Sequence, residues 1–467
     1  MEKRSQKADM LYYFLKYLSY FMVTVFYRRI HVEHKERVPK KGPVILAANH
    51  PNTMMDPLLV ALLCGRNPHF LGKSTLFNSK IAKAFFKSVH VLPVYRKIDA
   101  EKEMGKNAQV FERCYESLEA GNVLVIMPEG ISQMDGTLHE IKTGTARIGL
   151  GAEVRNAFEL GIQIVPAGIN YSSPTEFFSD VHCRFGRPID LREYQDLYKK
   201  DEYEAVYEVT NQIRDALAKL TTSVDNSETA GMLKNLKLIY KMELAINLGL
   251  DDDLKQHDFS MTRGMADAIN WYYVEHPELF HQMDRRMTRY LAKVEGLELR
   301  DELLSTTQGQ RTFTKRVLGL LGVITGFPLY LWGVVNNFLA YRIPAQLVKY
   351  LGTSIEYLST IKMLSGFVVF ALFYTLQTIG VWYLTGSGLL TTLYILSLLP
   401  AGLFARYYHD TMQRYRQHIR IFTLFLKRKT LMYEIIQERM ALIKAIDEAK
   451  AEYMNRMEEE SGSNVGV

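Results

Sequence analysis

Two long stretches of the 467-residue chain carry no charged side chain, which limits how it can fold. They cover residues 317–341 and 363–405. A helix needs about 20 apolar residues to cross the hydrocarbon core of a bilayer. The second stretch is long enough for two helices, 363–384 and 389–405, with the sequence TGSG as the turn between them. The sequence therefore predicts a hydrophobic membrane region of two or three helices over residues 316–406.

The first uncharged stretch contains the sequences TGFP and VNN, so it is either a single kinked span or a broken re-entrant hairpin. The chain after the second stretch is strongly basic, which favours the cytoplasmic side. The N-terminal half shows no export signal and is expected on the same side, which requires an even number of crossings. We therefore expect residues 363–405 to span as a hairpin and 317–341 to be re-entrant. Residues 407–467 are predicted to form a basic and then charged helix with a Ser/Gly tail.

Residues 10–27 form a shorter apolar stretch that Lys16 interrupts and that contains five tyrosines. Tyrosine favours the membrane interface, because its ring has an apolar body and a polar tip. No small-residue cleavage site follows, so a signal peptide is not expected. We predict an interfacial membrane helix within residues 1–30. The alternative is an amphipathic helix packed on the protein's own core.

Residues 31–195 alternate short apolar runs with helical patterns. The runs PVILAAN, HFLGK, VHVLPVY, NVLVIMPEG and IQIVPAGINY are typical of strands, and RFGRPIDL near 184–191 resembles a closing strand. Such alternation predicts an α/β domain with a mixed sheet flanked by helices. Residues 196–315 are charged and helical in pattern, and we predict a helical extension or linker there.

The charge balance and the cysteines exclude several classes of protein. A net charge of +6 fits an anionic surface or substrate but is too small to indicate nucleic acid binding. The three cysteines Cys64, Cys114 and Cys183 fit neither a disulfide framework nor a zinc pattern, which favours a reducing compartment. The histidines of HVEH and His139 assemble no metal site, so no metal is expected.

The sequence ILAANHPNTMMDPLL, residues 45–59, contains the strongest candidate for chemistry. Taken alone, Asp56 before Pro57 is typical of a helix N-cap, and His50 of a polar strand end. Together they bracket one strand-to-helix loop at the carboxyl edge of the sheet, where α/β folds bind ligands. An imidazole oriented by a carboxylate can remove a hydroxyl proton. Because no G-x-S-x-G sequence is present, the pair would activate the substrate's own hydroxyl or a water.

The sequence NHPNTMMDP resembles the first conserved block of the glycerolipid acyltransferases, which transfer fatty acyl groups to glycerol phosphates and lysophospholipids. That block has a histidine and an aspartate separated by four residues, whereas five separate His50 from Asp56 here. The longer spacing resembles yeast-type glycerol-3-phosphate and dihydroxyacetone-phosphate acyltransferases and their bacterial relatives. The resemblance implies that His50 is the general base and Asp56 its orienting partner.

Further stretches resemble the family in its order, and the similarity covers residues 25–190. VHVLPVYR resembles the second block, which implies that Arg96 contacts the acceptor's phosphate. FLGKSTLF resembles the segment between the first two blocks and makes Lys73 a second phosphate ligand. IVPAGINY resembles the fourth block, centred on Pro166 and associated with the acyl-donor side.

The sequence MPEGIS resembles the third block and implies that Glu129, Gly130 and Ser132 belong to the acceptor site. The common block reads Glu-Gly-Thr-Arg-Ser, so the basic residue of that block is missing here. Phosphate binding would then depend on Arg96 with Lys73 or Lys142. Backbone N–H groups near Gly130 are expected at the oxyanion.

The resemblance implies a membrane-bound O-acyltransferase of phospholipid biosynthesis with its catalytic domain on the cytoplasmic face. The donor would be acyl-CoA or acyl carrier protein, with no further cofactor, and the acceptor glycerol 3-phosphate or dihydroxyacetone phosphate. One alternative is a 1-acyl-sn-glycerol-3-phosphate (lysophospholipid) acyltransferase. Another is a non-catalytic membrane scaffold with an acyltransferase-like domain. A transporter is not expected, because the hydrophobic stretches are few and contain no charge.

Overall fold

The computed structural model of the protein describes residues 2–94, 107–249, 258–301, 304 and 313–463. It divides into two compact units. The sheet unit comprises Met1–Ser223 and Leu351–Leu364, and the helical unit comprises Val224–Tyr350 and Ser365–Val467. The sheet unit thus includes a short segment that joins two apolar helices and contains the first residues of the second.

The sheet unit is built around an eight-stranded mixed sheet. The strands are β1 (Arg29–Glu33), β2 (Val44–Ala48), β3 (Pro68–Lys73), β4 (Val91–Val94), β5 (Val123–Ile126), β6 (Gln163–Tyr171), β7 (Asp180–Phe185) and β8 (Ile189–Asp190). Their order is β1-β7-β6-β2-β5-β3-β4, and β8 pairs with β6. The paired strands run parallel except that β6 is antiparallel to both β7 and β8. The predicted α/β class with a mixed sheet is confirmed.

The two central strands, β2 and β5, are apolar along their whole length because helices cover both faces of the sheet. The helices of this unit are α1 (Glu2–Phe26), α2 (Met55–Leu63), α3 (Lys80–Ser88), α4 (Asn107–Glu119), α5 (Gly144–Arg155), α6 (Gln195–Lys200) and α7 (Glu202–Leu220). Successive side chains of β2 point to opposite faces, so Leu46 packs in the core with α1 and α2. Ile45 packs in the other core, with α4, α5 and α7.

Two features of the sheet unit differ from the sequence prediction. The closing strand near 184–191 is in fact the end of β7 and the short β8, since β7 begins at Asp180. The helical extension does not begin at residue 196, because α7 belongs to the sheet unit. Its Val209, Ile213 and Leu217 follow helical spacing and are completely buried in the core beneath the sheet. The unit therefore continues to residue 223.

The N-terminal helix α1 has a packed side and an exposed side. Val23 and Phe26 are buried in the core of the sheet unit. Phe14 and Tyr17 on the same helix are 62% and 71% exposed. One helix therefore both packs on its own unit and presents aromatic rings outward.

The helical unit has a polar core contact that joins distant parts of the chain. Its helices are α8 (Ser227–Asn247), α9 (Asp258–Glu275), α10 (Pro277–Gly296), α11 (Phe313–Leu351), α12 (Leu358–Thr385), α13 (Gly388–Lys427) and α14 (Lys429–Ser463). The Arg439 guanidinium of α14 donates to Glu243 Oε1 at 2.8 Å and to Asp301 Oδ1 at 3.1 Å. Because Arg439 is only 4% exposed, these carboxylates supply the counter-charge that a buried cation requires.

In the described part of the chain, three helical segments are long and apolar enough to cross a membrane: Gly322–Leu351, Ile355–Thr385 and Gly388–Lys427. The break expected within 317–341 is not found, because α11 runs unbroken through Pro328, and the re-entrant course of this segment stays a prediction. Apolar helices tolerate an internal proline when nearby groups satisfy the freed backbone. The asparagines do not break the helix either, because Asn337 Nδ2 donates to the Gly333 carbonyl, one turn earlier, at 2.9 Å.

Candidate active site

The loop His50–Asp56, which connects β2 to α2, brings its two terminal side chains together. His50 Nδ1 lies 2.9 Å from Asp56 Oδ2. The Asp56 side chain is completely buried, whereas that of His50 is 19% exposed. The loop therefore folds so that the carboxylate meets one ring nitrogen, while the imidazole stays accessible from outside.

Two further donors hold the buried Asp56 carboxylate. The Asn52 backbone N–H donates to Oδ2 at 2.6 Å, and the Tyr171 hydroxyl donates to Oδ1 at 2.6 Å. Burial, and then the charge of Asp56, raise the pKa of Tyr171 well above its ordinary value of 10.0, so its hydroxyl keeps the proton that it donates. Donors of this kind offset the cost of burying a carboxylate.

The expected capping role of Asp56 is wrong. Helix α2 begins at Met55, one residue before Asp56, and its N-cap residue is Met54 without a side-chain cap. The oxygens of Asp56 are instead taken up by groups of the loop and of β6. The aspartate therefore lies in the first turn of α2, and its carboxylate is held by the loop and β6 and does not cap the helix.

Glu129, which follows the neighbouring strand β5, forms a hydrogen bond to the His50–Asp56 loop. Strands β2 and β5 pair in parallel, so the residues that follow them meet at the same edge of the sheet. Glu129 Oε1 accepts from the His50 backbone N–H at 2.8 Å, and Oε2 accepts from the His139 N–H at 3.1 Å. Burial raises the pKa of Glu129, although both backbone donors oppose that rise. Both carboxylate oxygens of Glu129 therefore accept from backbone N–H groups, one of which belongs to His50.

The two other residues of the third block also have structural contacts. Gly130 has a φ of +71°, which glycine adopts without strain, and its N–H donates to the Met127 carbonyl at 3.0 Å. That N–H is therefore engaged in the turn, which does not support its expected use at an oxyanion. Ser132 Oγ accepts from the Thr53 backbone N–H at 2.9 Å, so Ser132 is tied to the His50–Asp56 loop.

Two of the predicted phosphate ligands lie in the described part of the chain. Lys73 ends β3, and its Nζ lies 6.0 Å from the centre of the Tyr357 ring. The Lys142 side chain is exposed and passes beside the turn at Gly130, where an added Cβ would lie 3.6 Å from Lys142 Cδ. Arg96 lies outside the described residues.

Pro166 lies within the sheet and not at its edge. It is buried in β6, in register with Ala47 of β2 and five residues before Tyr171. The structure does not bring Pro166 to the His50–Asp56 loop, so its association with the acyl-donor side stays a prediction.

Sequence reasoning did not single out Tyr171, Asn52 or Thr53 as site residues. Tyr171 had a usable signal, because it ends β6, which pairs with β2, the strand that His50 follows. The Thr53 hydroxyl donates to the Glu356 carbonyl at 2.8 Å, and this contact had no sequence signal, because about 300 residues separate the two.

Comparisons with known proteins identify an acyltransferase domain in this chain. A sequence model of the acyltransferase family matches residues 29–170, which run from the start of β1 almost to the end of β6. The chain is 26% identical to glycerol-3-phosphate O-acyltransferase 1 of Saccharomyces cerevisiae, over 48% of this chain and 29% of that one. It is 24% identical to an uncharacterized acyltransferase of Schizosaccharomyces pombe, over 47% of this chain and 45% of that one. The chain therefore spans less than half the length of these curated relatives.

Among solved structures, the crystal structure of the 1-acyl-sn-glycerophosphate acyltransferase PlsC from Thermotoga maritima aligns with 46% of this chain and 84% of its own. The sequence identity is 17% and the TM-score 0.32. The family match covers His50, Asp56 and Glu129, whose contacts are described above. Residues 29–170 form an acyltransferase domain, and this part of the chain is similar in sequence to glycerolipid acyltransferases.

The hydroxyl of Tyr171 offers a test of how Asp56 is held. Tyr171→Phe removes one donor from a buried carboxylate, so we expect the free energy of unfolding to fall by about 1–3 kcal/mol. A thiol-reactive dye measures this as a lower melting temperature, because Cys64, Cys114 and Cys183 are all buried in the sheet unit.

Tyr194→Phe is the matched control, since its hydroxyl makes an exposed hydrogen bond to Gln212. Its effect should stay within about 0.5 kcal/mol. Equal melting temperatures for wild type and Tyr171→Phe would mean that the hydroxyl does not hold Asp56.

Proposed function

We propose that the protein is an O-acyltransferase that moves a fatty acyl group from a thioester to a hydroxyl of glycerol 3-phosphate or dihydroxyacetone phosphate. The contact between His50 Nδ1 and Asp56 Oδ2, at 2.9 Å on the carboxyl edge of the sheet, carries this proposal. The similarity to yeast glycerol-3-phosphate O-acyltransferase 1 supports the choice of acceptor. The donor is acyl-CoA or acyl carrier protein, and the reaction uses no metal or other cofactor.

The proposed mechanism starts from the orientation of the imidazole. Since Asp56 engages Nδ1, the acceptor's proton goes to Nε2 of His50. The deprotonated oxygen attacks the thioester carbonyl, the C–S bond breaks, and the leaving sulfur takes the proton from Nε2. General-base catalysis of this kind typically contributes about 10²–10⁴-fold to the rate.

The phosphate of the acceptor needs positive charge close to His50. Lys142 passes beside the Gly130 turn, and that turn follows Glu129, which holds the His50 backbone. Lys73 lies at the same edge of the sheet, because β3 pairs in parallel with β5. Both lysines therefore support a phosphate-bearing acceptor, with Arg96 as a third ligand.

An acyl-transfer assay on the purified full chain tests the function. We expect transfer to glycerol 3-phosphate or dihydroxyacetone phosphate, and a loss of at least about 100-fold in His50→Ala because the base is gone. His34→Ala removes a histidine elsewhere in the sheet unit and should keep wild-type activity.

Near-wild-type transfer by His50→Ala would contradict the general-base role. Transfer only to 1-acylglycerol 3-phosphate would make the protein a lysophospholipid acyltransferase. If none of the acceptors is acylated with either donor, a non-catalytic scaffold is the better interpretation.

Phosphate binding by the lysines has its own test. A charge-assisted hydrogen bond contributes about 1.5–3 kcal/mol, so Lys142→Met or Lys73→Met should raise KM for the acceptor about tenfold or more. KM for the acyl donor should stay unchanged, because the donor's thioester does not use these charges. Lys87→Met, on the exposed surface of α3, is the control. An unchanged acceptor KM in both lysine variants would refute the assignment.

We also propose that two of the three apolar segments cross the membrane as a hairpin. Residues before and after these segments share one core in the helical unit, where Met287 and Ile435 are buried in the same cluster. Both must lie on one side, so the intervening chain crosses an even number of times. The basic residues after the second uncharged stretch favour the cytoplasmic side.

The segment Leu351–Leu364 decides which segments form the hairpin. It belongs to the sheet unit, although it connects the first apolar segment to the second. No candidate span occurs in the described residues between 27 and 301. Both ends of the first apolar segment therefore lie on the side of the catalytic loop, and it does not cross. The second and third cross, with their turn at Gly386 and Ser387.

Cysteine labelling in sealed vesicles tests this arrangement, because the three native cysteines are buried. We expect a membrane-impermeant maleimide to reach Tyr350→Cys and Glu448→Cys from one side and Thr385→Cys from the other. Tyr350 is 89% exposed and the Glu448 side chain 68% exposed, so each is accessible in its own unit. Labelling of Tyr350→Cys from the same side as Thr385→Cys would mean that the first segment crosses.

A further inference from the structure

We propose that the segment Ser354–Met363, which leads into α12 and includes its first residues, is a working part of the catalytic site, and that Thr53 is the positioning residue through which it acts. This inference rests on the proposed function, because it assigns a role in that reaction. It also makes part of the hydrophobic C-terminal half necessary for the chemistry of the N-terminal half.

Thr53 occupies an unusual place in the His50–Asp56 loop. Its φ is +32°, in the left-handed region that β-branched residues rarely adopt. Such a conformation persists only where surrounding contacts enforce it. Thr53 is 8% exposed and lies between the two members of the catalytic pair, so whatever enforces its conformation also shapes the pair.

The contacts of Thr53 come from two separate parts of the chain. Its backbone N–H donates to Ser132 Oγ at 2.9 Å, within the acyltransferase domain. Its hydroxyl donates to the Glu356 carbonyl at 2.8 Å and lies 3.4 Å from Thr360 Oγ1. The segment Ser354–Met363 therefore holds the Thr53 hydroxyl, whereas the acyltransferase domain holds the Thr53 backbone N–H.

The segment is also fastened to the residues that follow β6. The Pro174 carbonyl accepts from Asn52 Nδ2 at 2.9 Å and also from the Ser359 hydroxyl. Lys362 Nζ donates to the Thr175 carbonyl at 2.7 Å. One carbonyl thus joins the segment to Asn52, whose own N–H holds Asp56.

These contacts matter because catalysis needs precise placement. Effective general-base geometry tolerates displacements of only about 0.5 Å. Both Asn52 and Thr53, the loop residues that the segment contacts, lie between His50 and Asp56. Tyr357 of the same segment lies over Lys73, with 6.0 Å from Nζ to the ring centre, so the segment reaches a proposed phosphate ligand as well.

Kinetics of Thr53 variants in the full chain test the role. Thr53→Val keeps the shape but removes the hydroxyl, so kcat should fall about tenfold, while KM for donor and acceptor stays within about twofold. The kcat–pH profile should shift, because the His50–Asp56 pair is disturbed. Thr53→Ser keeps the hydroxyl and should restore most of kcat.

Matched controls separate this role from general stability. Thr375→Val changes a threonine of α12 whose hydroxyl bonds only within that helix, to Ala371, and should behave as wild type. Ser359→Ala breaks the bond to Pro174 and should lower kcat about threefold. Hydrogen exchange of the peptide covering residues 45–59 should be faster in Thr53→Val and in Ser359→Ala.

The outcomes divide clearly. Wild-type kcat in Thr53→Val, equal impairment in Thr53→Ser, or a rise in KM alone would each overturn the positioning role. A wild-type protein without transfer activity would instead refute the proposed function. Faster exchange of the loop peptide would still support the structural part of the inference, and unchanged exchange would overturn it.

Discussion

The site depends on one buried carboxylate. Asp56 has no exposed side-chain surface, and a charge in that position is tolerable only when donors surround it. His50, the Asn52 N–H and the Tyr171 hydroxyl supply them, from one end of the loop, its middle and a neighbouring strand. Satisfying Asp56 therefore fixes the loop, the imidazole and the end of β6 together. A serine hydrolase also orients its histidine with a buried carboxylate, and the proposed role of His50 is that of such a base without a serine nucleophile.

The parallel sheet explains how distant sequence blocks meet. Strands β2, β5 and β6 are neighbours and run in the same direction, so the residues after each one reach the same edge. Glu129, which follows β5, accepts from the backbone N–H of His50, which follows β2. The hydroxyl of Tyr171, at the end of β6, donates to Asp56. Residues of the third block thus hold the first block through hydrogen bonds, and the exposed Lys142 beside them is the proposed phosphate ligand.

The sequence was informative where a local pattern determines the structure. Alternating apolar runs predicted the sheet, and the His50–Asp56 spacing predicted a pair that the loop indeed closes. The N-cap assignment was wrong because the oxygens of Asp56 bind the loop, an arrangement that Pro57 does not reveal. Contacts of Thr53 with the Glu356 carbonyl lay beyond prediction, since a backbone acceptor about 300 residues away has no signature in side-chain pattern.

The buried Arg439 has a consequence for how the chain is made. Its partners Glu243 and Asp301 are synthesised long before it, and all three apolar helices come in between. Until α14 emerges, two carboxylates destined for a buried core lack their cation, and burial without it is costly. The helical unit can therefore close only after the apolar helices have left the ribosome. This core is therefore completed only after all three apolar helices have been synthesised.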